Sequence, residues 1–298
     1  MSIDAILTRQ AQVISRDQAL AAGLAGQVVD QHVRCRRWRP LHPRVYLVAA
    51  ARSADDEVRV RAALLWAGEN AVLSGLAAAW WHELIADCPP VIGVTVERGR
   101  GRRSRAGVDV RCRALAPSDR TTHRGLVVTA LPLTVLDAAV QLGSAGGALL
   151  DHVLRDRLRL SDVRAAHLRN RGAPGSATAG RLLAAAAERS TAAAEATLVA
   201  LLRHAGAAGW CRRFRAAGHL VPVAFPAACV AILVEGWAGP AESAASAARL
   251  AGRGWMVLRF PWHDLTGDPR RVLAEIAQAV ARGMPARVGC GGDRPRRE

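Results

Sequence analysis

Gln27-Val-Val-Asp-Gln-His-Val-Arg-Cys-Arg-Arg-Trp-Arg-Pro-Leu-His-Pro-Arg44 is the stretch that decides the predicted fold. From Ala25 to about Arg37 its apolar residues recur at helical spacing, which predicts a helix with an apolar stripe turned inward. That stripe consists of Val28, Val29 and Val33. The outward face is polar and consists of Gln27, Asp30, Gln31 and Arg34.

A two-stranded ribbon is predicted directly after this helix, in residues 38–48, with its turn near His42 and Pro43. Two short helices are predicted before it. Ile3 to Thr8 has apolar residues at helical spacing, and Ser15-Arg-Asp-Gln18 has the form of a capping box. Helix, helix, turn, helix and ribbon is the order of a winged helix-turn-helix. Residues 1–50 are therefore predicted to be a winged helix-turn-helix DNA-binding domain.

The side chains of this segment match the two kinds of contact that such domains make with DNA. In the major groove, amide groups pair with adenine and guanidinium groups with guanine, which assigns base contacts to Gln27, Gln31 and Arg34. Phosphate contacts hold the protein in place without recognising sequence. These contacts are assigned to Arg36, Arg37, Arg39 and Arg44. The alternative is a small domain that packs against the middle of the chain and binds nothing.

The charge of the whole chain favours a polyanionic partner. The formal net charge is +16, from 41 basic against 25 acidic residues, and phosphate neutralisation supplies most of the affinity in nucleic-acid binding. Every basic residue is Arg and none is Lys, which is typical of a GC-rich genome. That bias explains the choice of arginine but not the excess of bases over acids.

Several classes of protein are disfavoured by the composition. The six cysteines never approach the spacing of a zinc site or redox pair, and the nine histidines are scattered, so no metal site and no cofactor is predicted. The longest apolar run, Leu220–Val234, is broken by Pro222 and Pro226 and is too short for a confident membrane span. The first residues lack the pattern of an export signal. The expected location is the cytoplasm.

The remainder of the chain mixes helices with strands, which predicts an α+β protein. After the first domain, helices are predicted at Asp56–Gly68, Ser74–Leu84 with Ser74 as its N-cap, Leu131–Leu142 and Ala148–Leu158, and strands at Val91–Glu97 and Val108–Arg113. In the middle part, the loop Arg98–Gly107 carries five arginines, and it is interpreted either as a second phosphate-contacting patch or as a solvated hairpin tip. The glycine- and proline-rich stretch Asn170–Ser176 indicates a domain boundary. Beyond it, interleaved strands and helices indicate an α/β domain, whose predicted elements are Leu220–Phe225, Val230–Glu235, Trp255–Phe260 and the closing helix Asp268–Arg282.

Several strings, in their order along the chain, resemble a family of actinobacterial proteins with an abortive-infection (AbiEi-type) antitoxin winged helix at the front. In that family a motif similar to Arg37–Leu47 follows the third helix, with Gly usual where this chain has Arg44. Ala71–Ala79 and Val128–Ala139 are similar to later helix starts. The C-terminal part resembles a restriction-endonuclease-like domain related to very-short-patch repair nucleases, through Val234-Glu-Gly-Trp237 and Gly254–Phe260. The resemblance implies four parts: winged helix-turn-helix 1–50, AbiEi-like middle domain 51–170, restriction-endonuclease-like domain 171–282 and disordered tail 283–298.

A nuclease of this kind needs convergent carboxylates to hold Mg²⁺. The resemblance places the first metal-binding aspartate at Pro222 and a Glu-x-Asp at Leu233-Val-Glu235. Two of the three carboxylates are therefore absent, and no lysine exists to supply a transition-state cation. Glu195 and Glu235 are interpreted as vestigial candidates in an inactive domain, or as solvated acids.

These observations together predict a non-catalytic DNA-binding protein. It is expected to be a transcriptional regulator or an antitoxin-like protein of a type IV toxin–antitoxin system, with double-stranded DNA as partner and a toxin protein as a second candidate partner. The alternative is a Mg²⁺-dependent DNA endonuclease of the very-short-patch-repair type. A third hypothesis, compatible with the first, is that the C-terminal domain is an interaction module.

Overall fold

The computed structural model describes residues 2–48, 55–97, 103–216, 218–236 and 243–283. The chain folds into two compact units. The first consists of Met1–Leu149 with Ala165–Gly180, and the second of Leu150–Arg164 with Arg181–Glu298. Helices and three separate β-sheets occupy the described residues. At this level the predicted mixture of α and β structure is confirmed.

The first unit begins with three helices and a small sheet. Its elements are α1 (Ile3–Arg9), β1 (Val13–Ser15), α2 (Arg16–Ala21), α3 (Gly26–Arg34), β2 (Arg39–His42) and β3 (Val45–Leu47). The predicted hairpin is confirmed, because β2 and β3 pair antiparallel around a turn at Pro43 and Arg44. The sheet is larger than the predicted two-stranded ribbon, because β1 also pairs with β3 and gives the strand order β1-β3-β2. A three-residue strand is too short to show the period-two pattern from which strands are predicted.

The predicted capping box at the start of α2 is confirmed. The Ser15 hydroxyl accepts a hydrogen bond from the Gln18 N–H, and the Gln18 side chain accepts one from the Ser15 N–H, both at 3.1 Å. These two bonds satisfy backbone donors that a helix start would otherwise leave unpaired. The boundary between β1 and α2 is therefore fixed by local sequence.

Helix α3 differs from its prediction in length and in the width of its buried stripe. It ends at Arg34 rather than near Arg37, because Arg36 adopts a left-handed backbone with φ of 56°. Val29 is fully buried, whereas Val28 is 36% exposed. Neighbouring residues lie about 100° apart around a helix, so only one of the two valines can point directly at the core.

Strands β1 and β3 of the small sheet are buried on both faces within the first unit. One face packs against α1 to α3 and carries Ile14, Trp38 and Tyr46. The other face joins the core of the following elements through Val13, Val45 and Leu47. The segment from α1 to β3 therefore shares a hydrophobic core with the chain that follows it.

The rest of the first unit surrounds a five-stranded sheet with the order β6-β5-β4-β8-β7. The elements of this part of the chain are α4 (Asp56–Ala67), β4 (Val72–Leu73), α5 (Gly75–Trp81), β5 (Ile92–Val96), β6 (Val108–Cys112), β7 (Arg120–His123), β8 (Leu126–Thr129), α6 (Leu131–Leu142), α7 (Gly146–Asp156) and α8 (Leu160–Arg169). The predicted helices α4 and α6 and the predicted strands β5 and β6 are confirmed. Strands β4, β7 and β8 are absent from the prediction because they are only two to four residues long.

Ser74 occupies the predicted N-cap position of α5, but its side chain does not cap the helix. Its hydroxyl accepts a hydrogen bond from Thr95 Oγ1 at 2.9 Å, and the Leu76 N–H donates instead to Gln141 Oε1 at 2.9 Å. The backbone of β5 approaches closely here, because a Cβ at Gly93 would lie 2.7 Å from the Ser74 carbonyl oxygen. Tertiary contacts thus replace the local cap that the sequence predicts.

The second unit contains a four-stranded sheet with the order β12-β11-β10-β9. The elements that follow α8 along the chain are α9 (Ser176–His204), β9 (Cys211–Ala216), β10 (His219–Phe225), β11 (Val230–Glu235), α10 (Ser243–Ala251), β12 (Met256–Pro261), α11 (Trp262–Gly267) and α12 (Pro269–Arg282). Strands β11 and β12 are parallel, and the other pairs are antiparallel. The predicted strands at β10, β11 and β12 and the closing helix α12 are confirmed, and β9 adds an edge strand. The tail from Met284 onward lies outside the described residues.

The sheet of the second unit has a separate hydrophobic core on each face. One core contains residues of α9 and α12, including Leu198, Leu202 and Ile276, packed against Ile232 and Phe260. The other core is smaller and contains Phe214, Leu233, Leu250 and Trp255. The central strand β11 is therefore covered on both faces, which explains its nearly continuous apolar sequence.

One helical stretch among the described residues, Leu131–Asp156, is long and apolar enough to cross a membrane on length and composition alone. Half of the most apolar part of this stretch is buried within the protein. The core helices of soluble proteins pass the same test, so this stretch is weak support for a membrane span.

The difference in burial between two adjacent valines of α3 gives a stability prediction. Val29→Ala should lower the free energy of unfolding by about 2 kcal/mol, because it removes two buried methyl groups and leaves a cavity. Val28→Ala is the matched control and should change stability by less than about 0.5 kcal/mol, as expected for a surface position. Urea unfolding monitored by circular dichroism measures both. Equal losses in the two variants would contradict the orientation of α3.

Candidate nucleic-acid interface

The exposed face of α3 carries the three predicted base-contacting residues. Gln27, Gln31 and Arg34 are all exposed, and Val29 lies buried on the opposite side of the same helix. Their spacing of four and three residues places them in one row along the helix. The structure therefore brings the predicted amide and guanidinium groups together on a single solvent-facing surface.

The arginines that follow α3 are directed outward by the way in which the helix ends. The N–H groups of Arg37 and Trp38 both donate to the carbonyl oxygen of His32, at 2.9 and 3.1 Å. The Trp38 ring stacks on the His32 ring with 5.2 Å between centroids and is only 4% exposed. Because Trp38 is buried, its neighbours Arg37 and Arg39 take the solvent side, and Arg36 is exposed as well.

The segment from α1 to β3 contains seven arginines and three aspartates, and most of its positive charge lies at the end of α3. The arginines there, Arg34, Arg36, Arg37 and Arg39, form a group that we call the α3 arginine cluster. No carboxylate of a described residue lies within 4 Å of the guanidinium groups of this cluster. Its charge is therefore available to an external anion.

Asp30, the one acid on α3, is held by Arg16 from the first turn of α2. The Arg16 guanidinium donates to both carboxylate oxygens of Asp30, one of them at 3.0 Å, and to the Gly26 carbonyl oxygen at 3.4 Å. This hydrogen-bonded cation lowers the pKa of Asp30 below its usual value. Arg16 thereby ties α2 to α3 and neutralises the negative charge on the exposed face.

Arg44 differs from the other predicted phosphate-contacting residues. It lies in the hairpin turn with φ of 65° and forms an ion pair with Asp17. Its carbonyl oxygen accepts a hydrogen bond from the Arg16 N–H at 2.7 Å. The Arg44 side chain is 52% exposed and the Asp17 side chain 75%, so solvent screens this ion pair strongly. The residue is at the surface, but it is already paired within the protein.

The arginine-rich loop between β5 and β6 is only partly described. Residues 98–102 lie outside the described residues. Of the remaining two arginines, Arg103 is exposed, and the Arg105 guanidinium lies over the Trp66 ring at 5.4 Å from its centroid. Arg105 therefore packs on the protein itself.

The residues aligned with nuclease ligands do not form a cluster of carboxylates. Leu233 is buried in the smaller core of the second unit, at 7% exposure. Glu235 forms an ion pair with Arg259 of β12, and Glu195 lies on α9, where burial raises the pKa of its carboxyl group although Arg212 and Arg213 oppose the shift. Within the described ranges, no group of three or more His, Cys, Asp or Glu residues could hold a metal ion.

Sequence reasoning did not single out Arg16 or the arginines of β9. The contact of Arg16 with Asp30 joins residues 14 positions apart, and no local pattern indicates such a pair. The arginines of Cys211–Ala216 lie in a strand that is absent from the prediction, because its alternation of residues is interrupted at Arg213. An excess of arginine with no acid nearby is a signal that could have identified the arginines of β9.

Comparison of the chain with known protein families finds no match, and comparison with curated protein sequences finds no significant match either.

The raised pKa of Glu195 gives a prediction with a defined pH dependence. A carboxyl group with a raised pKa binds protons more readily in the folded state, so its ionisation costs stability. That cost is absent below the ordinary pKa of 4.5 and develops as pH rises through the raised value. Glu195→Gln should therefore be more stable than the parent protein at pH 7 and equally stable below pH 4.5.

The exposed Glu188 on the same helix provides the matched control. Glu188→Gln should show no such pH-dependent gain in thermal unfolding experiments. A loss of stability in Glu195→Gln at pH 7 would mean that the fold needs the ionised carboxylate, which contradicts a burial cost at this position.

Proposed function

We propose that the first unit binds double-stranded DNA through α3 and the α3 arginine cluster. The observation that carries the proposal is the coincidence of two exposed glutamines with four exposed arginines that have no carboxylate within 4 Å among the described residues. A surface of this kind attracts phosphate and can also hydrogen-bond base edges. Neutralisation of Asp30 by Arg16 supports the same conclusion, because it removes the charge that would repel DNA.

The order of elements supports a winged helix-turn-helix mode of binding. Helices α1 to α3 precede a hairpin whose strands β2 and β3 form one sheet with β1. In such domains the third helix enters the major groove and the wing follows the backbone. The left-handed backbone of Arg44 is the conformation that glycine adopts most easily, which agrees with the glycine usual there in the AbiEi-type family that the sequence resembles.

The proposal divides the residues by role. Gln27 and Gln31 have the amide groups for bidentate pairing with adenine, and Arg34 has the guanidinium for guanine. The phosphate contacts come from the remaining residues, Arg36, Arg37, Arg39 and Arg44. Arg44 first has to exchange its Asp17 partner for a phosphate, so it contributes less than the other three.

The wider role that fits this surface is that of a non-catalytic, cytoplasmic DNA-binding regulator or antitoxin-like protein of a type IV toxin–antitoxin system. In this proposal the second unit is an interaction module of restriction-endonuclease-like type and does not act as a nuclease. The support is chemical, because Leu233 offers no ligand to a metal and Glu235 is already paired with Arg259. A toxin protein is a candidate partner for that unit.

Point substitutions separate the two roles on the DNA-binding surface. Arg37→Ala with Arg39→Ala should weaken binding to every duplex and reduce the salt dependence by about 2 units of slope, because each lost phosphate contact removes about 0.9. Gln31→Ala should instead lower the preference for one site by about 1–3 kcal/mol. Fluorescence anisotropy with selected and random duplexes measures both.

Arg120→Ala with Arg171→Ala is the matched control, because both arginines are exposed residues of the first unit outside α3 and its hairpin. If this control weakened binding as much as the substitutions at Arg37 and Arg39, the α3 arginine cluster would have no specific role in DNA binding. Deletion of the segment from α1 to β3 is a poorer test, because Val13, Val45 and Leu47 belong to a core shared with α4.

The Arg16–Asp30 pair gives a second, independent test with opposite signs. Arg16→Gln should weaken duplex binding about fivefold, because it leaves Asp30 uncompensated on the exposed face, and about 1 kcal/mol is expected for unit charges near 4 Å in water. Asp30→Asn should strengthen binding by a similar factor. The double variant should return to the parental affinity. Weakening by both single substitutions would indicate a purely structural role for the pair.

A further inference from the structure

The edge strand β9 of the second unit carries three exposed arginines in a region without acids. Arg212, Arg213 and Arg215 are all exposed. The chain has no Asp or Glu between Glu195 and Glu235. No carboxylate of a described residue lies within 4 Å of these three guanidinium groups. Glu195 acts on Arg212 and Arg213 at longer range, and it is half-buried with a raised pKa.

An irregularity in the backbone of β9 at Arg213 places two of these arginines on the same face. Arg212 pairs with Val223 and Phe214 with Val221, so Arg213 stands opposite Pro222, which has no N–H to donate. Arg213 takes a left-handed backbone at this point, with φ of 50°. The pairing register is the same on both sides of Arg213, so no residue is inserted, but the left-handed backbone interrupts the alternation of side chains between the two faces.

The hydrophobic cores confirm this shift of faces. Cys211, Phe214 and Ala216 all belong to the smaller core, although regular alternation would separate Cys211 from Phe214. Arg212 therefore lies on the opposite face, beside Val223 of the larger core. Arg215 also lies on that face, beside Leu220, which is 50% exposed. The interrupted alternation thus brings Arg212 and Arg215 onto one face, with Arg213 between them in the strand.

We infer that this surface, the β9 arginine edge, is a second site that binds the phosphate backbone of duplex DNA. Guanidinium groups form paired hydrogen bonds with phosphate oxygens, and a row of them on an edge strand can be approached without passing other elements. The contacts involve no base edges, so they add affinity without sequence preference. This inference rests on the proposed function, because it assigns a further contact to the same ligand.

A purely structural alternative exists for the same residues. Charged side chains on an edge strand keep it from pairing with strands of other molecules. In that case substitution of the arginines would cause association of the protein but would not change its binding to DNA. The two explanations therefore predict different results in one set of variants.

The test compares two triple variants of the full chain with equal changes of charge. Arg212→Gln, Arg213→Gln and Arg215→Gln remove the β9 arginine edge, while Arg253→Gln, Arg270→Gln and Arg282→Gln remove three exposed arginines elsewhere in the same unit. Affinity for a labelled duplex of random sequence is measured from about 50 to about 200 mM NaCl. Circular dichroism and light scattering check folding and association.

The β9 variant should reduce the slope of log affinity against log salt by about 2 to 3, since each lost phosphate contact removes about 0.9. The control variant should reduce it by less than half of that amount. Equal changes in the two variants, or association of the β9 variant with an unchanged slope, would overturn the inference. Preferential binding of the β9 edge to single-stranded RNA or to anionic lipid vesicles would overturn it as well.

A third variant makes failure of this inference distinguishable from failure of the proposed function. Arg36→Gln, Arg37→Gln and Arg39→Gln remove most of the α3 arginine cluster. If this variant loses duplex binding while the β9 variant keeps the parental slope, only the present inference fails. If the parent protein does not bind duplex DNA, both proposals fail.

Photo-cross-linking gives a local readout that does not depend on charge. A benzophenone amino acid at Leu220, beside Arg215, should cross-link to the duplex. The same group at Met256 is the control, because Met256 is 40% exposed but lies on β12 at the other edge of the sheet. Cross-linking from Met256 alone would contradict the position of the site.

Discussion

The burial of Trp38 is the interaction on which the arrangement of the proposed DNA-binding surface depends. Its ring lies against His32 of α3 and Tyr46 of β3, at 5.2 and 5.7 Å between centroids. Burial of a side chain of this size supplies several kcal/mol of hydrophobic stabilisation. It also ends the helix, because the chain has to turn inward at this residue. The neighbouring arginines then have only the solvent side available, and their exposure follows from the packing of a single aromatic residue.

The few acids between α1 and β3 leave most of the positive charge of these exposed arginines uncompensated. Between α1 and β3 the three aspartates are too few for the seven arginines, and two of them are paired with Arg16 and Arg44. Of the five other arginines, four form the α3 arginine cluster beside two neutral amides, and the fifth is Arg9. The second unit follows the same principle by other means, because its β9 edge combines three arginines with a long stretch of chain that has no acid. In both units, an excess of cations is concentrated where backbone geometry turns side chains outward.

Most helices and the exposed face of α3 could be predicted from the sequence, because they depend on local patterns. The capping box at Ser15 and the polar row at Gln27, Gln31 and Arg34 are examples. Short strands such as β1 could not be predicted, since three residues carry no period and their pairing is set by distant partners. The hydroxyl of Ser74 shows the same limit, because Thr95 competes for it through tertiary packing. The contact of Arg16 with Asp30 and the left-handed backbone at Arg213 also depend on partners that local patterns do not identify.

The most direct test of DNA binding by α3 is ultraviolet cross-linking of the intact protein to genomic duplex fragments, followed by mass spectrometry of the cross-linked peptides. We predict that peptides from residues 26–44 dominate the cross-links, with Gln31 and the arginines that follow it at the modified positions. Stable DNA binding without any cross-linked peptide from residues 26–44 would contradict the claim that α3 and its arginine cluster form the DNA-binding surface.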